Sequence, residues 1–496
     1  MQILPILLNQ SDHHQSLLSA PPTIPLCPAR LPSTNPTASF WLDSAPDVNP
    51  LAREGSEGPL TTDADICIIG SGITGVGTAY HLAEAVQYLE FAGYHGPLKI
   101  VILEARDFCS GATGRNGGHL TPVAFRNFHN VAAQYGTDEA IRSVALEEHT
   151  AATLVSIIHE HNLEDEVDLV EGGNLRLLFT EKEVANAKRG LSAADQAGVS
   201  FEGIEWMDKK DVQARFGPSY PAIRIPGHNV WPLKLVTKLY QLAQARSSPN
   251  FALALHTHTP VTGISCVSAA DITCQSRRYI LETPRGHIAC SRIVHATNGY
   301  ASHLLPFLTG PKGIIPVRGQ VVALRAVANA KTIGNNGWGA NEGFEYWFPR
   351  PVAAATESPL VILGGGRETA ESFEHYEDDD SVLDPAVGRV LRDFLPAVFQ
   401  GKYRAGREPE MEWSGIMGYT KIGDPLVGPV IDLSNPGSNA YPGQYIAAGY
   451  SGHGMPRAFA CGEVISQMIV SELVEKEWTS PTWLPVRYLT WNRVET

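Results

Sequence analysis

The sequence predicts an α/β fold in which a parallel sheet built from strand–helix–strand units joins an α+β portion with a mixed or antiparallel sheet. Three observations predict it. The apolar run Ile66-Cys67-Ile68-Ile69 leads directly into the turn GSGITG at 70–75. A second apolar run, LKIVIL, follows at 98–103 after a helical stretch. Residues 312–366 alternate apolar and polar side chains between Gly and Pro breaks, as an antiparallel sheet does.

The elements follow in order. Residues 1–60 are rich in Pro, Ser, Thr and Asn and read as an extended N-terminal arm without a core of its own. That arm is either unstructured or packed over the body, because Phe40-Trp41-Leu42 is costly to leave in water. A buried strand is expected over 64–69, a helix over 73–92 and a strand over 98–103, which together give parallel pairing with a right-handed crossover. Helical periodicity covers 131–162, 181–197 and 232–246, with Pro232 suited to a first turn. Strands and turns fill 251–300, and IVHAT at 293–297 returns to the parallel sheet. EHYEDDD at 374–380 reads as an acidic surface loop. YIAAG at 445–449 is one more buried strand, leading through GHGM at 452–455 into a helix that ends near 474.

Composition narrows the function. A chain of 496 residues with 43% hydrophobic residues can bury a large core and form more than one domain. The formal charge is −14, from 38 basic against 52 acidic residues. A nucleic-acid partner needs a basic face and is not expected. No membrane partner is expected either, because no stretch reaches the roughly 20 apolar residues of a span. An anionic substrate would need a local cationic pocket. The seven cysteines show no CxxC spacing, so no metal site is expected. Their odd number and the absence of a basic run at the start point to a cytoplasmic protein.

The glycine turn carries the first chemistry. Gly70 turns the strand sharply, Gly72 lets a phosphate approach the backbone, and Gly75 lets the helix pack close to the strand. The free N–H groups at Ile73 and Thr74 then face an anion. The next strand ends at Glu104, whose carboxylate can accept from ribose hydroxyls and disfavours a 2′-phosphate. The interval from Gly75 to Glu104 exceeds the usual ~20 residues, and the loop at 91–97 absorbs the excess. After Ala105 and Arg106 comes SGATGRNGGH. Its residues Gly111, Ala112, Thr113, Arg115, Asn116, Gly117, Gly118 and His119 suit close backbone contact with a large flat cofactor and its pyrophosphate, which favours FAD over NAD.

GSGITG, the acidic strand end and SGATGRNGGH together resemble the D-amino-acid oxidase/glycine oxidase/sarcosine oxidase superfamily of FAD enzymes. The SGATGRNGG form is most similar to its gamma-glutamylputrescine oxidoreductase-like branch. WPLK at 231–234, ATNGY at 296–300, PVRGQ at 316–320 and GYSGHGM at 449–455 extend the resemblance over about 60–475. The resemblance implies a Rossmann-like FAD-binding domain from 61–125, 225–310 and 425–496, interleaved with a substrate domain from 126–224 and 311–424. It places the backbone of Val261 at the adenine and Thr297, Asn298 and Gly299 at the pyrophosphate. Gly452, His453, Gly454 and Met455 come beside the flavin pyrimidine, at a helix N-terminus suited to negative charge.

Two strands would cover the flavin face. They bring Tyr346 and Phe348 from one and Trp413 and Tyr419 from the other, as aromatic walls for an amine or as core packing. Arg318 would bind a substrate carboxylate or pair with an acid; His453 would neighbour the flavin or be a loop histidine. No arginine matches the carboxylate clamp of amino-acid oxidases. No cysteine lies in 412–420, and Arg115 stands where some relatives carry a histidine, so the FAD is expected to be non-covalent. The implied reaction is oxidation of a C–N bond of a primary or secondary amine or amino acid by hydride transfer to flavin N5. It gives an imine and, with oxygen as acceptor, hydrogen peroxide. Lys312 and Lys421 are candidates to assist oxygen. The partners are thus a small-molecule amine and oxygen or another electron acceptor. Two alternatives stay open: oxidation of a 2-hydroxy acid, and a flavin-binding protein without amine turnover.

Overall fold

The strand Asp63–Ile69 lies between two parallel neighbours, Leu98–Leu103 and Gly286–His295, with Ile66 opposite Ile100 on one side and Arg292 on the other. This is a computed structural model that describes every residue except 1–3, 21–25, 95, 268–276, 433–434, 439 and 494–496, so Cys274 lies outside the described residues. Ile66, Cys67 and Ile68 are fully buried. A strand covered on both faces needs an unbroken apolar run, which is why this segment does not alternate. Phe251–His256 and Gln444–Ala448 extend the parallel sheet, and Leu426–Pro429 pairs antiparallel at its edge. Helix Ile73–Glu84 crosses this sheet against helix Met455–Leu473.

The second sheet has eight strands in the order Met411–Tyr419, Ile315–Arg325, Leu360–Gly364, Glu345–Pro349, Gly337–Ala340, Asn174–Leu177, Ala222–Ile225 and Glu205–Met207. All neighbours are antiparallel except Gly337–Ala340 with Asn174–Leu177, so the sheet is mixed. The chain leaves the first sheet to build this one and returns, twice. Among the described residues no helix is long and apolar enough to cross a membrane.

Three expectations change in detail. The helix expected over 73–92 is two helices that meet at Ala85. The one expected over 131–162 is Phe128–Tyr135 and Thr137–Glu160, because Gly136 at φ +94° turns the chain between them. The segment 374–380 is not a solvated acidic surface: Asp380 is fully buried and Glu374 nearly so. Both are counterions to buried arginines, and charge in a low-dielectric interior needs a partner.

Of the two possibilities for the N-terminal arm, packing over the body describes residues 26–60. Trp41 is fully buried, lies nearly parallel to Phe348 at 6.2 Å between ring centres, and donates its indole N–H to the Asn116 carbonyl at 2.6 Å. Ser39 donates its hydroxyl to the Gly114 carbonyl at 2.7 Å. The arm also carries a helix, Ser11–Ser19, whose His14 packs among Phe344, Phe373, His375 and Tyr419.

Candidate active site

The glycine turn is built as its sequence requires. Gly70 has φ +111°, and a Cβ there would stand 2.6 Å from the Ala296 carbonyl oxygen. A Cβ on Gly75 would stand 2.0 Å from the Gly70 oxygen. Gly72 differs: its φ of −71° is ordinary, and a Cβ would meet only the Thr113 hydroxyl at 3.0 Å. Its backbone is open toward the space beyond the turn, where a phosphate can approach. Glu104 closes the neighbouring strand. One carboxylate oxygen accepts from the Ser71 N–H at 3.1 Å and hydroxyl at 2.7 Å, the other from the Arg106 N–H at 3.0 Å.

Between the two sheets lies a cavity of about 250 Å³. Two helix N-termini face it, Ile73–Thr74 after Gly72 and Met455–Pro456 after Gly454. The loop contributes Ala112, Thr113, Arg115, Asn116, Gly117 and His119. Asn298, Gly452 and His453 complete this side, and the second sheet supplies Tyr346 and Tyr419 from the opposite wall. Gly70, Gly75, Glu104, Ala105, Arg106, Gly111, Gly118, Val261, Thr297 and Gly299 support the turn and its surroundings without lining the cavity. The buried Thr297 hydroxyl has no partner among the described residues. An open glycine turn, a carboxylate at the strand end and an unpaired hydroxyl beside them fit the FAD that the sequence implies.

Three residues expected at the substrate lie elsewhere. Phe348 is fully buried between Trp41 and His119. Trp413 is fully buried, and its indole N–H donates to the Arg115 carbonyl at 2.9 Å. Arg318 is taken up by Glu374 and by Glu377 at 3.7 Å. Alternation along a strand puts Phe348 on the Tyr346 face, but the arm covers that end of it. Lys312 and Lys421 are exposed, and neither lines the cavity.

Among the described residues no Asp or Glu lines the cavity, but four arginines do: Arg115, Arg126, Arg176 and Arg367. Arg115 is satisfied. It lies 3.6 Å from Asp380 and donates to the carbonyls of Ser110, Thr37 and Ser414. Burial pulls it down to about 10. Arg126 and Arg176 have no hydrogen bond or ion pair among the described residues, and the Nε of each is buried without a partner. Burial lowers both guanidiniums, most strongly Arg176, which the charge of Arg126 lowers further. Glu147, on helix Thr137–Glu160, does not neutralise them directly. It accepts from the Val123 N–H at 2.6 Å, Arg457 at 2.8 Å and His453 at 3.1 Å. Burial raises this carboxyl, but His453 and Arg457 outweigh that and hold it at about 2.

His119 is half-buried at the cavity wall, and loss of solvent pushes it down to about 4. Its Nδ1 sits 3.0 Å from the Gly117 carbonyl and must carry the proton, which leaves Nε2 without a partner as an acceptor. His81 and His295 are likewise driven by burial to about 4. Their unfolded value is about 6.5, so below that pH the unfolded chain binds more protons. Stability is therefore expected to be complete above pH 6.5 and to fall toward pH 4, with each such imidazole losing about 1.4 kcal/mol at pH 5.5. Denaturant unfolding at pH 7.5 and 5.5 measures this; identical midpoints would contradict neutral buried rings.

Sequence reasoning missed Arg126, Arg176 and Arg367. One signal was available for Arg176: it interrupts Leu175 and Leu177 in a strand buried on both faces. Arg126 follows a loop and Arg367 a glycine run, and neither has a sequence pattern that announces a cavity.

Comparisons with known proteins bear on the family and the fold. The family model described as DAO, FAD dependent oxidoreductase, matches residues 65–468. The chain is similar to the probable oxidoreductase OrdL of Rhizobium meliloti, at 23% identity over 86% of this chain and 88% of that one. It is 34% identical to the gamma-glutamylputrescine oxidoreductase of Escherichia coli, over 22% of each chain. Among solved structures, the L-proline dehydrogenase of P. horikoshii superposes with a TM-score of 0.62 at 18% identity, over 87% of this chain and 98% of that one. With a family match spanning both sheets and the cavity between them, the chain belongs to the DAO family of FAD-dependent oxidoreductases.

Proposed function

We infer that the protein oxidises the C–N bond of an amine or amino acid that carries a carboxylate. The observation that supports this most is the unpaired pair Arg126 and Arg176 in a cavity lined by no acid. In a chain of net charge −14, such a pocket is a local reversal of sign, and guanidinium forks match carboxylate geometry. Bound FAD would supply the two-electron acceptor for oxidation of the amine to an imine. The chain's own residues do the rest. Arg126 and Arg176 hold the carboxylate, the Tyr346 and Tyr419 rings wall the amine, and His119 Nε2 can accept a hydrogen bond from the substrate N–H. The amine must be neutral when hydride leaves, and a cationic pocket favours that form.

Among the described residues no cysteine lines the cavity, and Arg115 is held by Asp380, which supports non-covalent FAD. All described cysteines are free, in keeping with a cytoplasmic setting. Anaerobic mixing tests the reading. Amino acids or N-alkyl amino acids are expected to bleach the bound flavin, and acid precipitation is expected to leave the flavin in the supernatant. The same arginines would hold a 2-hydroxy acid. Bleaching by hydroxy acids and by no amine would overturn the proposal, and peroxide release under air would distinguish an oxidase from a dehydrogenase.

A further inference from the structure

The unpaired cations of the cavity stand on two sides of Tyr346. In the second sheet Gly364 pairs with Tyr346, Tyr346 with Gly339, and Gly339 with Arg176. Cross-strand partners share a face, so these four positions form one row across it. The two glycines make room. A Cβ on Gly339 would stand 2.0 Å from an Arg176 Nη, and one on Gly364 would stand 2.4 Å from the Tyr346 hydroxyl. The Arg176 guanidinium therefore lies over Gly339, on one flank of Tyr346.

Gly364 lies on the other flank, and Arg367 follows it by three residues. Its guanidinium carbon lies 4.9 Å from the centre of the Tyr419 ring and 5.3 Å from that of Phe344. It has no ion pair among the described residues. Its Nη1 donates to Nε2 of His14 at 3.2 Å. His14 is buried, and burial together with Arg367 pushes it down to about 2. It is thus a neutral acceptor that orients the guanidinium without cancelling its charge. From Gly339 to Gly364 is two strand spacings, about 10 Å. The guanidiniums thus arise from backbone on opposite sides of Tyr346, and Arg367 reaches to the Tyr419 ring, so two anionic groups match them better than one.

We propose that the substrate is an amine flanked by two anionic groups, one held by Arg126 and Arg176 and the other by Arg367, with the reacting C–N bond beside Tyr346 between them. This rests on the carboxylate-amine reading above and narrows it. His14, from the N-terminal helix, is then a positioning residue for the second anionic group.

The test titrates the FAD-loaded protein with succinate, glutarate and adipate, and with butyrate, valerate and hexanoate, read by the visible difference spectrum of the bound cofactor. The best dicarboxylate is expected to bind at least tenfold more tightly than the monocarboxylate of equal length. Arg367→Gln is expected to remove that advantage while moving monocarboxylate affinity less than twofold, and Arg367→Lys to keep most of it. Arg176→Gln is expected to weaken both classes at least tenfold. Equal affinity for the two classes, or a preference that survives Arg367→Gln, would overturn this proposal alone. If the wild-type protein binds neither class, or Arg176→Gln changes neither, the carboxylate-amine reading falls with it.

Discussion

Gly72→Glu is expected to give a folded protein that purifies without flavin. The backbone at Gly72 has φ −71°, which any residue adopts, and a new Cβ would meet only a side-chain hydroxyl at 3.0 Å. Gly72 is also the N-cap of helix Ile73–Glu84, where a carboxylate is compatible with the helix dipole. The fold therefore survives. The cofactor does not, because the new carboxylate occupies the place a phosphate would take, and like charges so placed cost about 3 kcal/mol, more than a hundredfold in Kd. Visible absorbance of the purified protein, circular dichroism and an FAD titration read the result. Gly75→Ala serves as the contrast: its Cβ would lie 2.0 Å from the Gly70 oxygen, so it is expected to damage folding itself. A Gly72→Glu protein that kept its flavin would show that the phosphates lie elsewhere.

Asp380→Ala is expected to lower the unfolding free energy by about 3–5 kcal/mol, the cost of leaving a buried charge without its partner. Both carboxylate oxygens of Asp380 lie 2.9 Å from Arg106, and one lies 3.6 Å from Arg115. Its backbone carbonyl also accepts from the Thr37 N–H at 2.8 Å, so the arm, the FAD loop and the second sheet's loop meet at this one residue. Two positions away, Asp378 pairs with Arg30, whose side chain is 68% exposed. Asp378→Ala is expected to cost under about 1 kcal/mol, because solvent screens that pair and side-chain entropy opposes it. Denaturant melts of both proteins decide the matter; equal losses at the two positions would show that burial does not set the difference.

The cofactor side of the site was legible because its requirements are local. A strand–turn–helix that receives a phosphate needs Gly70, Gly72 and Gly75 within six residues, and the loop proposed to contact the cofactor carries Thr113, Asn116 and His119, which line the cavity. Periodicity located Tyr346 and Tyr419 on strands of the second sheet, and both line the cavity. The same periodicity could not separate them from Phe348 and Trp413, which share the strands but are covered by the arm and by the Arg115 backbone. Burial of a strand position depends on what packs above it, and the covering segment lies some 300 residues away in sequence.

The acidic run at 374–380 shows the same limit from the other side. Seven residues with five carboxylates have the composition of a solvated loop, and only the arrival of Arg106, Arg115 and Arg318 makes two of those carboxylates interior ions. The sequence by itself determined the strand order of the first βαβ unit, the glycine turn, the FAD loop and membership of an FAD-dependent family, because each rests on residues close along the chain. The tertiary structure decided which aromatics face the cavity, where the arm packs, and that Arg126, Arg176 and Arg367 converge there with no ion pair among the described residues. Those facts are sums over distant segments, and the charge of a pocket is set by which side chains the fold brings together rather than by the charge of the chain.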